Sequence, residues 1–187
     1  MLRRLSHLEQ RKGVKMDLYD YVRNIPDWPK PGVQFKDLTT LWKDAAACKS
    51  SIDLLYARYR DRGIHKIVGA EARGFIVGAP LAYLLGTGFV PVRKKGKLPY
   101  NQVEATYELE YGTDTLTIHE DAVEKGERVL IVDDLLATGG TVSAMVELVQ
   151  KLGGHIEEAV FLVELAFLGG RKKLSVPVFS LLQYEEE

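Results

Sequence analysis

The hydrophobic pattern of the chain alternates between short, mostly apolar runs and longer segments in which apolar residues recur with helical period. The apolar runs, which predict strands, lie at residues 65–70, 89–92, 128–133 and 159–165. The helical segments lie at residues 44–59, 75–85 and 141–152. Strands buried on both faces read as continuous apolar runs, so this order predicts an α/β fold with a central, mainly parallel sheet flanked by helices. Asp44 is expected to cap the first helix.

The segments outside this repeat predict less regular structure. Residues 19–25 have the spacing of a short helix, and the prolines that follow predict an irregular loop over residues 25–32. Residues 107–111 and 114–119 have the polar pattern of an antiparallel pair of strands joined at residues 112–113. We therefore expect a hairpin beside the parallel repeat.

The composition excludes several classes of protein. The 187 residues are 46% hydrophobic and 27% charged, which suits one domain with a sizeable core. The net charge of -1 argues against a general nucleic-acid-binding protein, and no apolar run is long enough to span a bilayer. The single cysteine, Cys48, cannot form an internal disulfide, so we expect a reducing compartment and a cytoplasmic protein.

The N-terminal residues differ in character from the rest. Residues 1–15 lack the continuous apolar segment of a secretory signal, although leucines stand among cations there. An organellar targeting helix and a frayed extension both fit this pattern, and Glu9 with the scarcity of serine favours the extension. We expect a flexible extension over residues 1–15 and one domain over residues 16–187.

The segment 129–141 carries the most informative chemistry. A buried strand there ends in two carboxylates, and a loop of small and hydroxyl residues then opens a helix. Glycine lets backbone N–H groups approach an anion, and the first turn of a helix supplies unpaired N–H groups with partial positive charge. The segment lacks the lysine of the ATPase P-loop and the glycine spacing of a dinucleotide fingerprint. The predicted phosphate-binding residues are Ala137, Thr138, Gly139, Gly140 and Thr141.

The two carboxylates, Asp133 and Asp134, indicate which phosphate would bind. Ligands of open α/β sheets bind at the carboxyl ends of the strands, where these acids stand. Acids beside a phosphate site can accept hydrogen bonds from the 2′- and 3′-hydroxyls of a ribose, and can hold Mg²⁺ directly or through water. A phosphate with a vicinal diol indicates a ribose 5-phosphate.

Two basic segments follow predicted parallel strands. Arg73 lies just after the first of them, and Arg93, Lys94, Lys95 and Lys97 form a dense cationic run after the next. So local a cluster in a chain of net charge -1 indicates a charged ligand.

Several segments together resemble the phosphoribosyltransferase family, and within it the members that act on adenine. The resemblance extends over about residues 18–184, and the segments that carry it are residues 25–37, 71–75, 93–99, 107–112, 129–141 and 180–184. It implies the type I fold, with a small N-terminal hood at about residues 16–40 and a flexible lid loop at about 98–112. It further implies a homodimer that converts adenine and 5-phosphoribosyl 1-pyrophosphate to AMP and pyrophosphate, with Mg²⁺ as cofactor, in purine salvage.

The resemblance assigns the cations to the pyrophosphate. In the family, the residues that match Arg73, Lys94 and Lys97 contact the pyrophosphate. We also assign a catalytic role to Arg73. The residue that matches Arg93 reaches the site of the neighbouring subunit. Lys95 is expected to face solvent.

The resemblance also implies which residues bind adenine and which residue assists removal of its proton. The backbone of Gln34, Phe35 and Lys36 would read adenine, with Phe35 and Leu135 packing on opposite faces of the purine. The catalytic acid would be Glu110, which assists proton removal from the purine nitrogen, and Tyr111 would shape the closed lid.

Two alternatives stay open: a phosphoribosyltransferase for another nucleobase, and a regulator that binds phosphoribosyl compounds without turnover. In the 6-oxopurine relatives an aspartate occupies the position of Ala137 and contacts N7, and its absence here favours adenine. The chain has no length to spare for an added nucleic-acid module, which favours an enzyme over a regulator.

Overall fold

The computed structural model describes residues 16–108 and 113–186. Its strands are β1 (Arg23–Pro26), β2 (Gln34–Asp37), β3 (Lys66–Ala70), β4 (Gly88–Lys94), β5 (Gln102–Glu108), β6 (Thr113–His119), β7 (Arg128–Leu136), β8 (His155–Leu165) and β9 (Val178–Tyr184). The helices are α1 (Thr39–Lys43), α2 (Ala45–Tyr59), α3 (Arg73–Leu85) and α4 (Gly140–Lys151). Short 3₁₀ helices lie at Leu18–Tyr21, Ala166–Leu168 and Gly170–Lys173.

Seven of the strands form the central sheet, in the order β5-β6-β4-β3-β7-β8-β9. Strands β4, β3, β7, β8 and β9 pair in parallel, and β5 and β6 add an antiparallel hairpin at one edge. The predicted α/β fold with a central, mainly parallel sheet is confirmed.

The strands are buried on both faces, as their apolar runs predict. Ile67 and Leu130 pack with α2 and α3, whereas the next residues, Val68 and Ile131, pack with α4 on the opposite face. Successive strand residues point to opposite faces, so helices must cover both sides of the sheet.

The predicted helix over residues 19–25 is wrong. Only Leu18–Tyr21 is helical, as a 3₁₀ turn, and β1 follows at once. Strand β1 pairs antiparallel with β2, and Arg23 of β1 forms an ion pair with Asp37 of β2. This cross-strand pairing outweighs the weak helical spacing, and it also includes Pro26, which the sequence predicted to lie in the irregular loop.

Several predicted boundaries move by a few residues. Strand β7 continues to Leu136, so Asp133 and Asp134 lie within the strand and not at its end. Helix α3 already begins at Arg73. The prediction for Asp44 is confirmed, since its carboxylate accepts hydrogen bonds from the amides of residues 46 and 47.

The predicted strand at residues 107–111 lies mostly earlier in the chain. Strand β5 begins at Gln102 and ends at Glu108, and its register with β6 pairs Glu108 with Thr113. Strand β5, 7 residues long, therefore takes up about half of the predicted lid, residues 98–112, and residues 109–112 lie outside the described residues. The flexibility of this lid stays a prediction.

Candidate active site

A cleft of about 300 Å³ opens at the carboxyl ends of β3 and β7, above the start of α4. Parallel strands present their carboxyl ends at the same edge of a sheet, and ligands of open α/β sheets bind there. The cleft is lined by Ala70, Glu71, Arg73, Lys94, Tyr107, Leu116, Asp133, Asp134, Leu135, Leu136, Ala137, Thr138, Gly139, Gly140, Thr141, Val142 and Phe161. The structure thus gathers all five predicted phosphate-binding residues, the two acids and two of the predicted cations.

The predicted phosphate loop is reduced to three residues, 137–139, between β7 and α4. Gly139 has a φ of +86°, which favours glycine, and a Cβ there would lie 2.8 Å from the carbonyl oxygen of Gly170. A Cβ at Gly140 would lie 3.1 Å from the ring of Tyr107. No side chain caps α4, so the N–H groups of its first turn are available to an anion in the cleft.

The two aspartates differ in their partners. The carboxylate of Asp134 is 3% exposed, and its Oδ2 lies 3.1 Å from Nε of Arg73 without accepting a hydrogen bond. Asp133 is half-buried, and its Oδ1 accepts the backbone N–H of Asp134 at 2.9 Å. Burial and the charge of Asp134 raise the pKa of Asp133 well above its ordinary value. Burial also raises the pKa of Asp134, against the opposing charge of Arg73.

The predicted cations separate into two groups. Arg73 and Lys94 line the cleft, and Nζ of Lys94 lies 2.8 Å from Oδ2 of Asp114, whose hydrogen bond raises the pKa of Lys94. Arg93 instead donates from Nε to Glu71 at 2.8 Å and from Nη1 to the carbonyl oxygen of Lys97 at 3.1 Å. Arg93 and Lys97 are not among the residues that line the cleft.

Lys95 is exposed, as predicted, and its Nζ pairs with Glu104 at 2.8 Å. This pairing holds the cationic turn to strand β5 and leaves Lys94 as the lysine of the run that faces the cleft.

The predicted adenine-binding residues lie mainly outside this cleft. Leu135 lines it, whereas Gln34, Phe35 and Lys36 belong to β2 of the N-terminal hairpin. The ring of Phe35 packs edge-on against Trp28, with centroids 4.4 Å apart. The amide of Gln34 accepts a hydrogen bond from Asn24, and Nζ of Lys36 donates to Asn24 and stands 4.7 Å above the ring of Tyr184. Glu110 and Tyr111 lie outside the described residues.

Comparison with known proteins decides the family. The family model described as "Phosphoribosyl transferase domain" matches residues 39–179. An adenine phosphoribosyltransferase of Geobacter metallireducens is 60% identical over 169 residues, which span 90% of this chain and 99% of that protein. One from Geotalea daltonii is 59% identical with the same shares of both chains.

Solved structures agree with the sequence relatives. The adenine phosphoribosyltransferase of Thermoanaerobacter pseudethanolicus superposes with a TM-score of 0.86 at 54% identity, over 89% of this chain and 98% of that one. The enzyme of Saccharomyces cerevisiae, crystallised with an imino-altritol bisphosphate and adenine, gives a TM-score of 0.84 at 43% identity, over 88% and 96%. The chain belongs to the adenine phosphoribosyltransferase family. The predicted family, type I fold and transferase activity are confirmed.

The sequence reasoning missed two residues of this phosphoribosyltransferase site, Glu71 and Tyr107. Glu71 accepts hydrogen bonds from Arg93 and from the backbone N–H of Lys94, so it joins the two basic segments. Burial opposes ionisation of Glu71, but these two donors hold its pKa below the ordinary value. Tyr107 covers Gly140 from strand β5. Both residues stood in the segments that resemble the family, yet only the fold brings them to the phosphate loop.

The acids of the cleft determine how a magnesium ion would fit. Across residues 16–108 and 113–186, no three acidic, histidine or cysteine side chains come together as a metal site. The buried Oδ2 of Asp134 accepts no hydrogen bond, and a carboxylate oxygen is the ligand that Mg²⁺ prefers. Mg²⁺ usually keeps few protein ligands and takes the rest from water and substrate phosphates, so the Asp133–Asp134 pair fits an ion that arrives with its substrate.

Within the same described residues, no helix combines the length and apolar character needed to cross a membrane.

Proposed function

We propose that the protein transfers the phosphoribosyl group of 5-phosphoribosyl 1-pyrophosphate to adenine, with release of pyrophosphate. The observation that carries this proposal is one cleft in which three kinds of group converge. The phosphate loop lies at the start of α4, and Asp133 and Asp134 stand before it. Arg73 lies at the start of α3, and Lys94 lies at the end of β4. This order matches a substrate with a 5-phosphate, a ribose diol and a pyrophosphate.

The phosphate loop would hold the 5-phosphate through backbone N–H groups. Glycine at positions 139 and 140 leaves the backbone bare, and the hydroxyls of Thr138 and Thr141 add donors. The ribose hydroxyls would then donate to Asp133 and Asp134. These donors favour the ionised carboxylates, so binding would lower the pKa values that burial raises.

The cations would act on the leaving group. Negative charge grows on the pyrophosphate as the C1–O bond breaks, and only interactions that strengthen in the transition state accelerate this step. Arg73 is half-exposed and pairs with Asp134 in the cleft, whereas Lys94 pairs with Asp114, which does not line it. Mg²⁺, held by substrate oxygens beside Asp133 and Asp134, would neutralise part of the pyrophosphate charge.

The N-terminal hairpin would supply the adenine site. In residues 34–36, a backbone N–H can donate to N1 of adenine and a backbone C=O can accept from its N6 amino group, and a 6-oxopurine would leave both backbone groups unpaired. The small side chain of Ala137 offers no acid to N7 of a 6-oxopurine. Glu110, with Tyr111 beside it in the lid, would assist removal of the purine proton.

We also propose that the protein is a homodimer. Helix α3 exposes Tyr83 at 85%, Ile76 at 44% and Leu84 at 40%. Ile76 and Tyr83 lie seven residues apart, on one face of the helix, and a second copy would cover this apolar face. Sedimentation velocity should give a dimer, which Tyr83→Asp separates and Leu54→Asp, at an exposed site on α2, does not. A monomeric wild-type protein would contradict this proposal.

A turnover assay tests the proposed reaction. The protein is incubated with 5-phosphoribosyl 1-pyrophosphate, Mg²⁺ and, separately, adenine, hypoxanthine or guanine, and pyrophosphate release is measured. We expect release with adenine alone. Release with hypoxanthine or guanine would favour a phosphoribosyltransferase for another nucleobase. No release with any base would favour a regulator that binds phosphoribosyl compounds without turnover. The predicted absence of nucleic-acid binding and the cytoplasmic location stay predictions.

A further inference from the structure

The carboxylate of Glu164 and the segment 180–184 have no part in the proposed reaction. Glu164 lies near the end of β8 and is 3% exposed. It accepts hydrogen bonds from Nε of Arg171 at 2.9 Å, from Oγ of Ser180 at 2.8 Å and from Nε2 of Gln183 at 3.2 Å. Nη2 of Arg171 makes the ion pair bidentate. The hydrogen bonds of Arg171, set against burial, hold the pKa of Glu164 below its ordinary value.

Arg171 is fixed on two sides. Besides its two bonds to Glu164, it donates from Nη1 to the carbonyl oxygen of Val178 at 2.8 Å. A planar guanidinium that meets acceptors through all three nitrogens has one orientation. Because Arg171 belongs to the 3₁₀ helix Gly170–Lys173, this turn is anchored to the end of β8 and to the start of β9.

The anchored turn is in backbone contact with the phosphate loop. A Cβ at Gly170 would overlap the carbonyl oxygen of Ala137, and a Cβ at Gly139 would lie 2.8 Å from the carbonyl oxygen of Gly170. Two bare backbones therefore touch with no side chain between them. A displacement of Gly170 towards residues 137–139 would therefore push on the loop directly.

We propose that Arg171 and Glu164 are positioning residues, whose ion pair holds Gly170 against Ala137 and thereby orients the N–H groups of the phosphate loop. Arg171 and Glu164 act only through the loop, and this inference rests on the proposed function, in which the loop binds the 5-phosphate. A misplacement of a binding group by about 1 Å can cost about a hundredfold in rate. Loss of the ion pair between Arg171 and Glu164 should therefore weaken binding of the substrate's 5-phosphate and leave binding of adenine unchanged.

The variant Arg171→Met tests the proposal, with ribose 5-phosphate as the probe. It keeps the length of the side chain and removes its hydrogen bonds. By calorimetry, we expect its affinity for ribose 5-phosphate to fall about tenfold or more. The KM for 5-phosphoribosyl 1-pyrophosphate should rise by a similar factor, while the KM for adenine stays within about twofold. Arg171→Lys should restore part of the affinity.

A matched ion pair on the same strand serves as the control. Arg58 pairs with Glu158 through Nε at 3.1 Å and Nη2 at 3.0 Å, towards the start of β8. Arg58→Met should lower stability and leave the affinity for ribose 5-phosphate unchanged. Gly170→Ala is a second variant, which keeps Arg171 but places a methyl group against Ala137, and it should lose phosphate affinity as well.

The outcomes separate the two proposals. Wild-type affinity in folded Arg171→Met, or in Gly170→Ala if Arg171→Met does not fold, would overturn the positioning role. An equal loss in Arg58→Met would also overturn it, since the effect would then follow stability alone. If the wild-type protein itself does not bind ribose 5-phosphate, the proposed function fails instead.

Discussion

Burial governs the chemistry of the acids in the cleft. Asp134 is nearly inaccessible, and Arg73 is the charge beside it. A buried carboxylate that keeps one oxygen without a hydrogen bond is costly unless a ligand supplies donors. The ribose hydroxyls would supply them, which accounts for two adjacent acids near the end of a buried strand.

Asp134→Asn should therefore weaken substrate binding. The variant keeps the shape but loses a charged acceptor, and a hydrogen bond to a charged group contributes about 1.5–3 kcal/mol, or roughly tenfold or more in affinity. The KM for 5-phosphoribosyl 1-pyrophosphate should rise by that factor. Asp53→Asn, on the exposed face of α2, serves as the control. An unchanged KM in Asp134→Asn would refute the ribose assignment.

Glu110 is predicted to assist proton removal from the purine nitrogen and to have little part in binding 5-phosphoribosyl 1-pyrophosphate. We expect Glu110→Ala to lower kcat by about 10²–10⁴-fold, the usual contribution of a general acid or base, with a much smaller change in the binding of 5-phosphoribosyl 1-pyrophosphate. Glu108→Ala changes the exposed acid at the end of β5 and should keep wild-type kcat. Equal turnover of Glu110→Ala and wild type would remove Glu110 from the mechanism.

At the scale of elements, the junction of β7 and α4 builds the site. The strand delivers two acids, three residues turn the chain, and the helix presents its N–H groups. The turn works only because Gly139 has a left-handed backbone and touches Gly170.

Gly139→Ala should damage this junction more than an equivalent change elsewhere. Gly126 has a φ of +84° and no atom within 4 Å of the place that an alanine methyl group would take, so Gly126→Ala adds only backbone strain, about 1–2 kcal/mol. Gly139→Ala adds the clash with Gly170. In urea unfolding, we expect the free energy of unfolding to fall more for Gly139→Ala than for Gly126→Ala. Only Gly139→Ala should lose affinity for ribose 5-phosphate. Equal behaviour of the two variants would contradict the backbone contact.

The sequence predicted the elements whose signal is local. Continuous apolar runs located β3, β4, β7 and β8, and Gly139 with its neighbours located the phosphate loop. The hairpin of β1 and β2 was missed because its stability comes from cross-strand pairs such as Arg23 with Asp37, which no local period reveals. The contact of Gly170 with Ala137 joins segments about thirty residues apart and likewise required the fold.

At the scale of the molecule, the sheet connects the site to the rest of the chain. The hydroxyl of Tyr19 bonds the backbone of Gln183, whose side chain reaches Glu164, which anchors Arg171. The 3₁₀ helix Leu18–Tyr21 and the turn that contacts the phosphate loop are thus linked through Gln183 of β9 and Glu164 of β8. Glu164, the acid of this chain of contacts, must be ionised to accept all of its hydrogen bonds.

Stability should fall in acid for this reason. The pKa of Glu164 is lowered in the folded state, so its contribution is complete above the unfolded value of about 4.3 and disappears as the pH falls through the folded value. Glu164→Gln should cost about 2 kcal/mol in urea unfolding at pH 7, and less below about pH 4. Glu185→Gln, exposed near the C-terminus, should cost nothing at either pH. If the difference in unfolding free energy between wild type and Glu164→Gln did not change with pH, an ionised pair of Glu164 and Arg171 would be contradicted.

A crystal structure with AMP bound would test the central claim most directly. We predict that the 5′-phosphate lies against the backbone of residues 137–141, with the ribose hydroxyls within hydrogen-bond distance of Asp133 and Asp134. A nucleotide bound away from residues 137–141 would contradict the account.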